Sequence, residues 1–246
     1  MPSIAGSKVL ILGGSSGIGF GVAKHSLVEG ARVFISSSNP TRVSNAVNSL
    51  KESFPNGDVT GYPCDLSQDD AESRLEDLFS KIGELDHIIF TAGDGLALKP
   101  VSEIDIDYIR KAGHVRFTVP LLVAKVGSRY LKKSHTSSYI LTGGAVAQKP
   151  MPNWSVVASY SSGLNGMVRN LALDLKPIRV NLVIPGAIET ELWGPNREAL
   201  VKQAAAHTAL GKVGAPEEVA EAYIYFMKDT NATASSISSN GGSLIV

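Results

Sequence analysis

Lys8–Leu12 is a short apolar run behind one lysine, the pattern of a strand buried on both faces. It leads directly into Gly13-Gly14-Ser15-Ser16-Gly17-Ile18-Gly19, and a helix-patterned stretch follows. Strand, glycine-rich turn and helix together constrain the fold more than any other feature. Small residues let the backbone approach a ligand closely. The helix N-terminus then aims free N–H groups and positive partial charge at an anion. The unit is a cradle for a pyrophosphate, and both flanks are the ones such a cradle requires.

The same grammar continues along the chain. Arg32–Ser36, Val59–Pro63, His87–Phe90, Ser138–Leu141 and Arg179–Val183 are short apolar or β-branched runs. Between them lie the longer amphipathic stretches Thr41–Ser53, Gln68–Ile82, Glu103–Val126 and Val156–Leu173. This alternation predicts an α/β fold, a Rossmann-type doubly wound parallel sheet with helices on both faces. No linker or repeat interrupts it, so residues 1–246 read as one dinucleotide-binding domain, with an integral substrate region at about 189–212. In such sheets the ligand lies beyond the carboxyl ends of the strands, where strand order reverses.

Composition narrows the function classes. Lys and Arg number 23, and Asp and Glu also number 23, so a general nucleic-acid or anionic-membrane surface is not expected. A single cysteine, Cys64, leaves no internal disulfide and no cysteine-clustered metal site. No metal site is expected. The first apolar run is already the first strand and none is long enough to span a bilayer, so a cytoplasmic protein is expected.

Several further runs, taken with the glycine-rich turn, resemble the short-chain dehydrogenase/reductase family. Leu12-Gly13-x-x-x-Gly17-Ile18-Gly19 is similar to the family's cofactor motif, with Leu12 in place of the usual threonine. Asp65-Leu66 resembles the pair that contacts adenine, and Phe90-Thr91-Ala92-Gly93 an Asn-Asn-Ala-Gly motif with both asparagines replaced. Leu171–Leu175, Arg179-Val180-Asn181, Pro185-Gly186-x-x-x-Thr190, Leu210–Ala220 and Asn240-Gly241-Gly242 follow at family spacing. The resemblance implies nicotinamide-cofactor contacts at Gly13, Ser15, Ser16, Gly17, Ile18, Gly19, Asp65, Leu66, Ala92, Gly93, Pro185, Gly186, Ile188 and Thr190. It also implies a small-molecule substrate, a mobile region over it at Glu189–His207, and self-association as a dimer or tetramer, to which Ile237–Val246 can contribute.

Cofactor choice is readable at the end of the second strand. An acid there would bind a ribose 2′-hydroxyl and repel a 2′-phosphate. This chain has Ser36-Ser37-Ser38-Asn39-Pro40-Thr41-Arg42 instead. Ser37, Ser38 and Arg42 offer hydroxyls and a guanidinium to a phosphate, which points to NADP(H).

The family's proton-transfer residues are missing. Counting back from Leu171–Leu175 without a gap puts Val157 at the tyrosine position, Ser161 at the lysine position and Gly144 at the serine position. Tyr160 is retained as a catalytic candidate, although its i+4 neighbour is Leu164, and a phenol without a cationic neighbour is a reluctant acid. Arg116 is the second catalytic candidate, placed to hold a carbonyl or stabilise negative charge, with His114 close by; ordinary structural roles stay open for both. Met151, Trp154 and Trp193 are candidate substrate contacts, with Trp154 equally suited to a pocket wall or to the core.

General acid catalysis supplies about 10²–10⁴-fold, roughly 3–5 kcal/mol, which a neutral ketone needs because its oxygen becomes an alkoxide. An iminium-like or conjugated substrate needs less. The expectation is therefore a reductase of an activated C=N or C=C bond. Atypical fungal alkaloid-pathway members of the family, some of which also promote a cycloaddition, are similar in lacking these residues. A non-redox cyclase or isomerase and a non-catalytic NADP(H)-binding protein remain as alternatives.

Overall fold

The computed structural model describes residues 2–246, and of Pro195 the backbone only. Seven parallel strands form one sheet in the order β3-β2-β1-β4-β5-β6-β7. They are β1 (Lys8–Leu12), β2 (Arg32–Ser37), β3 (Val59–Pro63), β4 (His87–Phe90), β5 (Ser138–Thr142), β6 (Arg179–Pro185) and β7 (Ser236–Ser239). The main helices are α1 (Gly17–Val28), α2 (Pro40–Ser53), α3 (Ala71–Ile82), α4 (Ile106–Gly113), α5 (Val119–Gly127), α6 (Ser155–Asp174), α7 (Arg197–Ala205) and α8 (Pro216–Lys228).

Alternation of side chains along each strand builds two cores. Leu10 and Leu12 of β1 face the layer made by α3, α5 and α6, with Leu75, Phe79, Val123 and Leu164 among its buried residues. Val9 and Ile11 face the layer made by α1, α2 and α8, with Val22, Leu50, Val219 and Tyr223. Burial on both faces is why the strands read as continuous apolar runs rather than as alternating ones.

Two elements depart from the sequence reading. The Glu103–Val126 stretch is not one helix: α4 passes into α5 through a π-helical turn at His114–Thr118. The π turn has no composition signature, and Pro120 at the start of α5 has no N–H to continue an α-helical ladder. The edge strand β7, Ser-Ile-Ser-Ser, is half-exposed and polar, and carries none of the apolar signal of the inner strands.

Strand order reverses between β1 and β4, which both continue the sheet from its centre. The carboxyl ends of these two strands hold the glycine-rich turn and Thr91–Gly93 side by side. No helix among the described residues is long and apolar enough to cross a membrane.

Candidate cofactor and active site

The cradle is shaped by backbone contacts that leave no room for side chains. Gly13 has φ +93°, and a Cβ there would lie 2.5 Å from the Ala92 nitrogen. A Cβ on Gly19 would collide with the Gly13 carbonyl oxygen and Thr91 Oγ1. Both Gly13 N–H and Gly14 N–H are committed to the Ser36 carbonyl, at 2.8 and 3.1 Å. Past that bend, Ser15 and Ser16 lead into the α1 N-terminus at Gly17 and Ile18. Thr91 ties the next strand down by donating its N–H and hydroxyl to the Leu12 carbonyl at 2.8 and 3.0 Å. A pyrophosphate fits this arrangement of small residues and N–H groups.

At the end of β2, Asn39 caps α2 by accepting the Arg42 N–H at 2.9 Å, and Pro40 supplies the first helical residue. This cap brings the Arg42 guanidinium to 3.5 Å from Ser38 Oγ. Ser38 and Arg42 are exposed, and Ser37 is half-buried beside them. Two hydroxyls and a guanidinium thus follow β2, with no carboxylate among residues 36–42, a donor set that fits a phosphate.

Beyond β3, Asp65 accepts from both the Ser67 N–H (3.0 Å) and the Ser67 hydroxyl (2.7 Å). These bonds, the backbone one first, hold its carboxyl below the usual carboxylate range. Leu66 is buried, and its carbonyl meets His114 Nε2 at 3.2 Å. His114 is thereby tied to the segment that follows β3. Beyond β6, Pro185 is buried, the Gly186 N–H bonds the Ser239 carbonyl at 2.9 Å, and Ile188 bridges to Gly214. Thr190 lies against Gly17, whose Cβ would be 3.1 Å from its Cγ2.

The π turn presents Arg116 to the site. Its guanidinium covers Gly93, where a Cβ would lie 2.8 Å from both terminal nitrogens. Its Nη2 donates to the Asp94 carbonyl, and its Nε sits 3.2 Å from Asp94 Oδ1. Burial lowers the guanidinium pKa from its usual value, and Asp94 opposes that shift. Sequence reasoning missed Asp94; its only signal is an acid directly after the strand-end glycine.

Tyr160 requires a correction. Its hydroxyl donates to the Ile109 carbonyl at 3.0 Å, and its ring packs 5.3 Å from the Phe117 ring, over Gly113. It joins α6 to α4 as a packing residue, and its proton is engaged by backbone. Three residues along the helix put it at a neighbouring position nearly one turn beyond Val157, not at the same one.

Val157 is buried, and Gly144 and Ser161 are neighbours: a Cβ on Gly144 would lie 3.9 Å from Ser161 Oγ. The positions assigned by counting to the family's serine and lysine thus do face each other. Met151 is exposed, Trp154 partly buried just before α6, and Trp193 partly buried in the 3₁₀ segment Glu191–Asn196. Asn153, between Met151 and Trp154, has φ +69°, a left-handed turn that an asparagine tolerates. The loop is held from outside by Lys149, whose ammonium donates to the carbonyls of Ser243 (2.6 Å) and Val246.

Residues 2–246 match a family model described as an SDR-like Rossmann domain. Over 253 aligned residues the chain is 44% identical to the short-chain dehydrogenase/reductase ATR9 of Stachybotrys chlorohalonatus, with 100% of both chains covered. The solved structure of the MalC reductase/Diels-Alderase from Malbranchea aurantiaca matches with a TM-score of 0.93 at 38% identity, covering 99% of this chain and 98% of that one. A small-chain dehydrogenase in complex with NADPH matches with a TM-score of 0.81 at 28% identity, covering 98% and 100%.

Proposed function

This chain belongs to the short-chain dehydrogenase/reductase family, and on that premise we propose that it is an NADPH-dependent reductase of an activated, iminium-like or conjugated small molecule. The observation that carries this reading is the replacement of the family's serine, tyrosine and lysine by Gly144, Val157 and Ser161, with Tyr160 engaged elsewhere. Gly144 and Val157 have no ionisable group, and the Ser161 hydroxyl is too weak an acid to take over protonation of an alkoxide. NADPH, when bound, supplies the hydride. The chain's own part is to hold and orient: Gly13–Gly19 at the pyrophosphate, Ser37, Ser38 and Arg42 at the 2′-phosphate, and Met151, Trp154 and Trp193 around the substrate.

Arg116 suits a substrate oxygen. Beside a developing enolate its positive charge stabilises; beside an iminium alone it would repel, and Asp94 at 3.2 Å offsets much of that. The pair therefore favours a substrate that carries a carbonyl near the bond being reduced. Arg116→Gln is expected to lower kcat/KM by about 10²–10³-fold, the usual effect of losing one stabilising donor. Unchanged kcat/KM would remove Arg116 from the site.

The test of the reaction class is a panel of iminium ions, conjugated carbonyls and simple ketones, followed by product mass and NADPH oxidation. Gain of one hydride by an iminium ion, or of a hydride and a solvent proton by a conjugated carbonyl, with NADPH consumed, is expected on the activated members. Turnover confined to simple ketones would overturn the reading. For the cofactor, calorimetry should give tight NADPH and weak NADH binding, and equal affinities would sink the roles given to Ser37, Ser38 and Arg42.

Likeness to a reductase/Diels-Alderase across 99% of the chain favours one second reading, ring formation at the same site. That activity would leave product mass unchanged and NADPH unoxidised.

A further inference from the structure

The segment after Thr190 reaches into the cofactor cradle from the opposite end of the chain. Glu191 Oε2 accepts the Gly17 N–H at 3.2 Å. Gly17 has φ +51° and is the first residue of α1, so this N–H is one of the unsatisfied donors that make the helix start an anion site. A Cβ on Gly17 would lie 3.8 Å from the same carboxylate oxygen. An acid at this place contradicts the charge logic of a phosphate site, because a carboxylate and a phosphate sharing one donor repel each other. One N–H cannot serve both.

We infer that Glu191 is an internal competitor for the pyrophosphate cradle, which a bound NADPH must displace, moving the segment over the substrate as it does so. The inference rests on the NADP(H) reading of the cradle. The segment is built for such a displacement. Its start is fixed, with Ile188 bridged to Gly214 and the Glu189 N–H bonded to the Gly214 carbonyl at 2.9 Å. Glu189 also pairs with Arg197 at 2.9 Å, clamping the first turn of α7. Between these anchors Gly194, at φ +67°, breaks the 3₁₀ segment. Thr190–Gly194 can therefore swing between two fixed points, and Trp193 travels with it. Cofactor arrival and pocket shape become linked through a single side chain.

The experiment is calorimetric titration of NADPH into wild type, Glu191→Gln and Glu191→Ala, with thermal unfolding of each protein with and without NADPH. Adenosine 2′-monophosphate, which lacks the pyrophosphate, is the control ligand. Removing the competitor should tighten NADPH binding roughly tenfold, equivalent to about 1.4 kcal/mol, and leave the control ligand unchanged. The unliganded variants should melt slightly lower than wild type, while their NADPH-induced shift should grow. A merely structural glutamate would lower both. Glu191→Gln binding NADPH no tighter than wild type overturns the inference, as does equal tightening of NADPH and the control ligand. Failure of all three proteins to bind NADPH would sink the cofactor reading with it.

Discussion

Gly19→Ala is expected to abolish measurable NADPH binding while leaving the protein folded. The added methyl has two immovable neighbours, the Gly13 carbonyl oxygen and Thr91 Oγ1, and both belong to the cradle itself. Neither is the free end of a flexible side chain. Rotating Thr91 away would give up its hydroxyl bond to the Leu12 carbonyl and would still leave the Gly13 carbonyl in place. Relief must come from α1 moving outward. Small-to-large substitution in a packed site costs about 1–3 kcal/mol, which lowers the melting midpoint by several degrees in a domain of this size. The binding loss should be larger than the stability loss. Displacing α1 withdraws the N–H groups and dipole together, and a loss of at least about 100-fold, or about 2.7 kcal/mol, is expected. Gly166→Ala is the matched control. Gly166 lies within α6 with nothing within 4 Å of an added Cβ, so NADPH affinity should hold and stability should rise by about 0.4–1 kcal/mol. Equal NADPH affinity in Gly19→Ala and wild type would show that the cradle is not where the cofactor sits.

The contrast between these two glycines marks what a sequence carries. Strand bounds such as His87–Phe90 were legible because burial on both faces forces a continuous apolar run. The cradle was legible because close approach demands small residues at fixed spacing. Counting from Leu171–Leu175 assigned Val157, Ser161 and Gly144 to the family's three positions, and the last two are neighbours in space. Pairings between distant segments were not legible. Asp94 meets Arg116 only because a π turn rotates the helix, and Glu191 meets Gly17 across the whole fold. For Tyr160, too, the partner was not legible: the Ile109 carbonyl is backbone and has no letter in the sequence.

The far end of the sheet carries the second large effect, a loss of stability in mild acid caused by one histidine. His87 opens β4, fully buried, with Nδ1 2.9 Å from Ser138 Oγ. Ser138 pairs in register with both His87 and Arg179, so the three form one row across β4, β5 and β6. Arg179 is itself buried and held by the carbonyls of His135 and Phe226, each at 2.6 Å, which keeps its charge in place. Burial first, and then the Arg179 charge, push the His87 pKa down to about 3. In the unfolded chain the same imidazole titrates near the ordinary histidine value, about 6.5. Above that value neither state is protonated there and His87 contributes no pH dependence. Between about 6.5 and 3 the unfolded state binds a proton that the folded state refuses, so stability falls as pH falls, by about 1.4 kcal/mol per unit. The accumulated loss reaches roughly 3–5 kcal/mol, a large share of a typical domain's stability. His87→Asn puts an amide near the Nδ1 position and removes the titration. Denaturant unfolding of both proteins at intervals from pH 8 to pH 4 separates this from carboxylate effects, which the two share. The wild type should lose stability more steeply below pH 6.5, and the curves should run parallel above it. Parallel curves throughout would mean that His87 is protonated in the folded state, with Arg179 unable to prevent it.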